Sequence, residues 1–503
     1  MNWARKHKTQ VFLRADGNAS IGFGHLMRTL AFASNLKDVA DLLLFVRDPD
    51  DLAKKTCISY DIEFQDISRL PLEDEADYIA SRAGDKAIVF LDGYAFDEDY
   101  QTKIIQKGCF LVCMDDHQDR RYLANCIINV AELTDPSLVQ KPIYSKLVFG
   151  FRYALIRPEF SRDDSPIKNL SQMFICFGGG KETLPYIRKS IQAIYLSQKR
   201  FNKVVIVTNQ VLLEDINKII SDENSIDSIE VKHSLKAKEM AVVLMNSSLA
   251  ICSSSTVALE CRAMNLTTIC GYFVENQINI YNNLVKQQEI FPAQNLNETS
   301  AKQLSELIVK AEESEDNLKE SIFNLSHIRK NYQKLLMNWE GEMDFNLRKA
   351  ENRDADTYLV WANHPDVRRN AISTDPIIPE NHYRWFNSRI NSPTTLMLIA
   401  EWQEKSVGQI RFDYSGESWE IDYSIDAEFR GMGFGELLIR KGMWYLLKQE
   451  KKEILVSGSV KIDNLASNQV FMKLHFREDE NEFKSNIELR KFSLRLSPQF
   501  LYL

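Results

Sequence analysis

The chain has 503 residues, 44% hydrophobic and 26% charged, which is enough for two or three domains each with its own core. Its 62 Lys and Arg against 70 Asp and Glu leave a net charge of −8, which argues against a general nucleic-acid or membrane surface, so local donors must meet any anionic ligand. No apolar run approaches a transmembrane span and residues 1–10 lack the apolar core of a signal peptide, so a cytoplasmic protein is expected.

The first apolar run, 11–13, leads into Arg14-Ala-Asp-Gly-Asn-Ala-Ser-Ile-Gly-Phe-Gly-His-Leu-Met-Arg28, after which Leu26, Leu30 and Ala33 recur at helical spacing. This reads as strand, glycine-rich turn, helix. Gly17, Gly22 and Gly24 let backbone pass close to a ligand, and the free N–H groups of the first helical turn suit an anion or a polar sugar. His25 stands at that turn, where the helix N-terminus disfavours an imidazolium and leaves the ring able to take a proton from water or a hydroxyl. A packing turn with a structural histidine is the alternative, but Arg14, Asp16 and Arg28 add polar groups that such a turn does not need. Apolar runs at 42–46, 87–91, 110–114 and 126–130 then alternate with polar, partly helical segments, the rhythm of a parallel sheet with crossover helices. Asp92-Gly93-Tyr94 and Asp115-Asp116-His117 fall at strand ends, where open sheets place ligand groups and where turns also favour Asp and Gly. The polar, proline-containing stretch 163–170 has a linker composition.

A second alternating half starts with 173–177, which runs into Gly178-Gly179-Gly180; this is either a diphosphate-facing turn or a flexible loop. The buried run 249–252 is followed by Ser253-Ser254-Ser255-Thr256, a capping sequence for a helix over 257–264 that carries Glu260. Glu275-Asn276-Gln277 follows the next apolar run, 267–273. Residues 300–337 are charged and helical with an apolar stripe at Leu304, Leu307 and Ile308, as in terminal helices that pack back across two lobes. The best boundary is 339–344. The eight cysteines include no Cys-x-x-Cys pair and mostly lie in apolar runs, so reduced core thiols are expected and a metal site is not.

Beyond that boundary, 394–402, 406–414 and 417–426 are successive strand-like runs that feed Arg430-Gly431-Met432-Gly433-Phe434-Gly435 and then a helix. A glycine-rich turn between strand and helix presents N–H groups to a pyrophosphate, and Arg430 adds charge. Asn464-Leu-Ala-Ser467 precedes Val470-Phe-Met-Lys-Leu-His-Phe476. Glu420 and Asp422 alternate on a strand and either relay a proton or are solvated carboxylates.

Arg-Ala-Asp-Gly followed by Ile-Gly-x-Gly-His-x-x-Arg resembles the opening of the UDP-sugar hydrolases of pseudaminic acid biosynthesis. That resemblance implies a two-lobed GT-B-like α/β fold, with lobes at 1–160 and 161–340, in which His25 activates a water that releases UDP without a metal. It implies substrate contacts at Arg14, Asp16, Gly24, Arg28 and Tyr94, diphosphate contacts at Gly178, Gly179, Ser255 and Thr256, ribose contact at Glu260, and sugar or phosphate contact at Asn276 and Gln277. Lys181 departs from the acidic residue more usual after the glycines. Arg-Gly-x-Gly-x-Gly after antiparallel strands resembles the acetyl-CoA loop of the GNAT acetyltransferase superfamily and implies an α+β domain over 341–503. Acetyl-CoA would lie on Arg430, Gly431, Met432, Gly433, Phe434, Gly435, Asn464 and Ser467. Phe471 stands where many members carry a tyrosine that protonates the departing thiolate, and it has no proton to give. The fusion matches two consecutive steps, N-acetylation of a UDP-4-amino-4,6-dideoxy sugar and hydrolysis of the product, UDP-2,4-diacetamido-2,4,6-trideoxy-beta-L-altropyranose. A GT-B glycosyltransferase and a non-catalytic UDP-sugar-binding protein are the alternatives. The expected partners are a UDP-linked amino sugar and acetyl-CoA, with no nucleic acid or membrane; the oligomeric state is not readable.

Overall fold

Apolar runs too short for helices become central strands here because helices cover both of their faces, and β4 and β5 below are buried at every position. The computed structural model describes residues 8–500 except 19, 116–119, 131–138, 162–171, 224–228, 234 and 314–320. In the first region the elements are β1 (Thr9–Ala15), α1 (Gly24–Leu36), β2 (Ala40–Val46), α2 (Asp51–Ser59), β3 (Glu63–Asp66), α3 (Leu72–Ala83), β4 (Ile88–Asp92), α4 (Glu98–Gln106), β5 (Phe110–Met114), β6 (Cys126–Asn129) and β7 (Lys146–Phe149). The strands form a parallel sheet in the order β3-β2-β1-β4-β5-β6-β7. The order reverses between β1 and β4, and that reversal opens a crevice at their C-terminal ends.

The second region contains β8 (Gln172–Cys176), α5 (Leu184–Ser197), β9 (Lys203–Thr208), α6 (Leu213–Glu223), β10 (Ile229–His233), α7 (Ala237–Met245), β11 (Leu249–Ser253), α8 (Thr256–Ala263), β12 (Thr267–Tyr272), α9 (Ile278–Lys286), β13 (Phe291–Asn295), α10 (Ala301–Glu313) and α11 (Leu325–Met343). Its parallel sheet runs β10-β9-β8-β11-β12-β13. One face of each sheet joins a continuous apolar core, in which Val11, Phe90 and Val112 connect through Phe151 and Phe160 to Phe174 and Ala250. Helix α11 closes the connection: Tyr332 meets Phe32 edge-on with ring centroids 5.3 Å apart and donates to the Tyr153 carbonyl at 2.6 Å. All eight cysteines are free and buried, and burial pushes the Cys57 and Cys109 thiols up to about 11.

The third region consists of β14 (Phe345–Lys349), α12 (Ala355–Ala362), α13 (Pro365–Asn370), α14 (Pro379–Ile390), β15 (Thr395–Trp402), β16 (Lys405–Tyr414), β17 (Trp419–Ile425), α15 (Phe434–Glu450), β18 (Ile454–Lys461), α16 (Leu465–Lys473), β19 (Arg477–Glu478), β20 (Glu482–Lys484) and β21 (Ile487–Leu496). Neighbouring strands are antiparallel except β17 and β18, which pair in parallel at Trp419↔Val456 and Glu420↔Ser457 and then separate. The change of core falls at Asp344: Trp339 is buried with the first region, whereas Phe345 is buried with the third. The division expected between 340 and 341 therefore lies within α11.

The third region docks on the first. Arg440 of α15 makes bonds of 3.2 and 3.0 Å to the Glu342 carboxylate and also donates to the Tyr144 carbonyl. Lys441 donates to the carbonyls of Glu342 and Phe345, each at 2.7 Å, and the Tyr144 and Trp444 rings meet at 4.8 Å.

Candidate functional site

In the first crevice, β4 ends on Asp92 and α1 begins one residue before His25. Asp92 is fully buried, with one carboxylate oxygen 2.8 Å from His25 Nδ1. Arg28, one turn along α1, donates to both Asp92 oxygens at 2.8 and 2.5 Å, and the Thr29 hydroxyl reaches the second oxygen at 3.4 Å. Burial alone would push the Asp92 carboxyl up, but the charge and hydrogen bonds of Arg28, with those of His25, outweigh it and hold the group below the usual carboxylate range. The Asp92 carboxylate lies nearer Nδ1 than the Arg28 N–H, which stands 3.2 Å away, and so favours the proton on Nδ1 and a lone pair on Nε2. Tyr94 stands edge-on to the imidazole, with centroids 4.6 Å apart, and the Arg120 guanidinium lies 4.9 Å over the Tyr94 ring. Together with Gly93, Met114 and Tyr122, these side chains line a small open cleft.

The expected residues divide into those at this cleft and those elsewhere. His25, Arg28 and Tyr94 line it, and Gly24 adjoins His25 with nothing within 4 Å of where its Cβ would lie. Arg14 is instead buried at 2% exposure, bonded to Glu75 at 2.6 Å and to Asp16, and the Asp16 carboxylate also accepts from the Arg47 N–H at 2.8 Å. This pair anchors the strand end from the α3 side. Asp115 accepts from Tyr122 at 2.9 Å and Asn129 at 3.0 Å, pinning the cleft wall; Asp116 and the 163–170 stretch lie outside the described residues. Asp92 entered the sequence reading only as the start of a strand-end motif, and Arg120 not at all. A strand-terminal Asp was the available signal for the first; Arg120 acts from a loop with no local pattern.

In the second region Gly178 adopts φ +106°, open to glycine and strained for other residues, and a Cβ on Gly179 would lie 2.8 Å from Asn209 Cβ. Ser255 is the N-cap of α8 but makes no capping bond; its hydroxyl reaches the Ser253 carbonyl at 3.5 Å and the Ala258 N–H bonds the Ser255 carbonyl, so exposed Thr256 and the N–H groups of Thr256 and Val257 face a ligand most directly. Glu260 is fully buried; one oxygen accepts from Arg157 Nε at 2.7 Å, while the other, Oε2, has no hydrogen-bond partner among the described residues. Burial pushes this carboxyl up and Arg157 only partly offsets it. A ligand hydroxyl would satisfy the orphaned oxygen. Gln277 accepts from the Phe273 N–H at 3.0 Å through its side chain, a turn-holding role; the Asn276 side chain lies outside the description.

In the third region Gly431 and Gly433 have φ of +78° and +83°, with nothing within 4 Å of either Cβ position, so backbone conformation rather than crowding requires glycine. Gly433 caps α15 without a side-chain bond, leaving Phe434, Gly435 and their first-turn neighbours as open donors. Met432 packs partly buried against the core, and Arg430 is held by Asp366 at 2.8 Å beside this loop. The arrangement fits a pyrophosphate. Asn464 caps α16 through the Ser467 N–H at 3.2 Å, and the Ser467 hydroxyl accepts from Tyr423 at 3.1 Å. Among the described residues no group of three or more His, Cys, Asp or Glu is arranged for a metal, and no helix is long and apolar enough to cross a membrane.

Comparison with known proteins separates these regions. The chain is 21% identical over 408 residues to an uncharacterized protein of Methanocaldococcus jannaschii, covering 78% of this chain and 81% of that one. It is 26% identical over 173 residues to the UDP-2,4-diacetamido-2,4,6-trideoxy-beta-L-altropyranose hydrolase of Campylobacter jejuni, a stretch covering 34% of this chain and 60% of the hydrolase. The structure of spermidine N-acetyltransferase from Vibrio cholerae with CoA and spermine aligns with 30% of this chain and 95% of its own, at 17% identity and a TM-score of 0.28. Residues 344–477 match the acetyltransferase (GNAT) domain family. Its sheet with a parted β17–β18 pair, its glycine loop and this match identify the C-terminal region as a GNAT acetyltransferase domain.

Proposed function

We propose that the chain is a bifunctional enzyme that N-acetylates a UDP-linked 4-amino-4,6-dideoxy sugar with acetyl-CoA and then hydrolyses the UDP-2,4-diacetamido-2,4,6-trideoxy sugar to free sugar and UDP. The observation that carries the hydrolytic half is the buried Asp92 carboxylate on His25 Nδ1 at the strand-order reversal. The partial likeness to the Campylobacter hydrolase gives the substrate class. In this reading the two parallel-sheet regions are GT-B lobes. Nε2 of His25 takes a proton from water as the water oxygen bonds to C1, and the C1–O bond to the diphosphate breaks with its electron pair on UDP. The N–H groups at Gly178 and α8, and the guanidinium groups of Arg28 and Arg120, meet the charge. Glu260 Oε2 accepts a ribose hydroxyl. The GNAT domain binds acetyl-CoA on the 430–435 loop and transfers the acetyl group to the sugar amine.

The test is a time course of the whole chain with the UDP-linked 4-amino sugar, with and without acetyl-CoA, resolving UDP, CoA and sugar by mass spectrometry. Acetylated UDP-sugar should precede UDP, and UDP should require acetyl-CoA. CoA release without UDP release, even over long incubation, would refute the hydrolytic half and favour transfer to an acceptor.

A further inference from the structure

Acetyl transfer to an amine leaves a CoA thiolate that must gain a proton, and the residue at position 471 has none to give. Phe471 is also turned away: it is 2% exposed, lies between Phe476 and Phe492 at centroid distances of 4.8 and 5.1 Å, and directs Cζ to within 2.5 Å of where a Gly458 Cβ would be. A hydroxyl on that ring would run into β18. The proton comes either from water or from another side chain in the opening where β17 and β18 part.

Tyr423 lies on β17 three residues beyond the last β17–β18 pair. Its ring faces α15 and α16: a Cβ on Gly435 would be 3.6 Å from Tyr423 Cε2 and 4.0 Å from the phenol oxygen, and the ring meets Phe471 at 6.4 Å. The phenol is therefore beneath the glycine loop and oriented by Ser467 Oγ, its acceptor at 3.1 Å. Glu420 and Asp422, which alternate with it on β17, project to the opposite face of the sheet. Burial raises the phenol, against a smaller lowering by Ser467, so it keeps its proton through the neutral range.

We propose that Tyr423 is the proton donor to the CoA thiolate, with Ser467 as its positioning residue. This rests on the reading that the domain uses acetyl-CoA. The amine nitrogen bonds to the acetyl carbon, the C–S bond breaks with its electron pair on sulfur, and the phenol proton passes to sulfur to give the CoA thiol. The proton shed by the new amide goes to water, from which the phenolate is reprotonated.

The experiment compares the full chain with Tyr423→Phe and Ser467→Ala, using hydroxylamine as a small nucleophile that needs no sugar recognition. Tyr423→Phe should lower kcat for CoA release by about 10²-fold or more while the calorimetric Kd for CoA stays within about twofold. Ser467→Ala should lower kcat by less than Tyr423→Phe does. A second readout is independent of turnover: the ultraviolet absorbance of thiolate in enzyme-bound CoA at mildly alkaline pH should be greater with wild type than with Tyr423→Phe, because the phenol donates to the anion. Undiminished kcat in Tyr423→Phe, or an equal thiolate fraction, would overturn the assignment; so would loss of CoA binding in step with kcat, which marks a packing role. A wild-type chain that binds no CoA would instead overturn the reading beneath it.

Discussion

Replacing Asp92 with Asn tests the hydrolytic centre with little change of shape. Asp92 accepts from His25 Nδ1 at 2.8 Å and from Arg28 at 2.8 and 2.5 Å, all from a fully buried position. An Asn amide donates to Nδ1, which moves the ring proton to Nε2 and removes the lone pair that must take a proton from water. The same change at a His–Asp pair in serine proteases costs about 10⁴ in rate. His25 is 26% exposed, so solvent relieves part of that here, and a loss of about 10³- to 10⁴-fold, or ~4–5.5 kcal/mol of barrier, is expected. Arg28 loses its charged acceptor, but the desolvation of the carboxylate is also removed, so stability should change by no more than about 1–3 kcal/mol. The assay is UDP release from the acetylated UDP-sugar beside CoA release by the same preparation, with the melting curve as a control. Nitrogen-15 shifts of the His25 ring report the tautomer directly. Hydrolysis within a few-fold of wild type with the tautomer reversed would refute the role of Nε2; an unreversed tautomer would refute the argument from Asp92.

Uridine binding should weaken as pH falls through the raised pKa of Glu260, because a ribose hydroxyl donates to the ionised carboxyl and protonation withdraws that acceptor; calorimetry over a pH series should show the slope in wild type and none in Glu260→Gln. Gly433→Ala forces a side chain into φ +83° at a cost of about 1–2 kcal/mol and should raise KM for acetyl-CoA; an unchanged KM would show that the loop does not have to hold that conformation. Glu342→Gln leaves Arg440 without its buried counter-ion and should cost about 3–5 kcal/mol, read as earlier calorimetric melting and faster proteolysis near Asp344; wild-type melting would show the pair to be dispensable.

The sheets were legible because fully buried parallel strands read as short apolar runs: 87–91 and 110–114 in the sequence correspond to Ile88–Asp92 and Phe110–Met114. The turn carrying His25 was legible because strand, glycines and helix are contiguous. Arg14 and Arg28 could not be told apart in the same way. Both flank the turn, but strand alternation sends Arg14 towards Glu75, 61 positions on, while helical spacing aligns Arg28 with His25 over Asp92. Which buried carboxylate each cation meets is decided by crossover packing, for which the sequence has no local mark. Asn464 was expected only as an acetyl-CoA contact, yet its side chain holds the start of α16 by accepting from the Ser467 N–H at 3.2 Å.

The two candidate centres share one piece of chain. Arg120 and Tyr122 wall the His25 cleft, and the next residues are tied to 140–145 by the Arg121↔Gln140 bridge, the Tyr122 N–H to the Gln140 carbonyl at 2.9 Å, and the Tyr144 hydroxyl to the Leu123 carbonyl at 2.6 Å. That same 140–145 stretch seats α15: Ile143 packs on the acetyltransferase core, Tyr144 on Trp444, and Arg440 donates to the Tyr144 carbonyl. Helix α15 begins at the glycine loop. Separating the regions at Asp344 would therefore expose an apolar patch around Ile143 and Tyr144 on the first region and would part Glu342 from Arg440, leaving that cation beside Lys441 without its carboxylate. Each half lacks groups that the other supplies, so the acetyltransferase domain is part of what holds the wall of the His25 cleft, rather than a module carried on a tether.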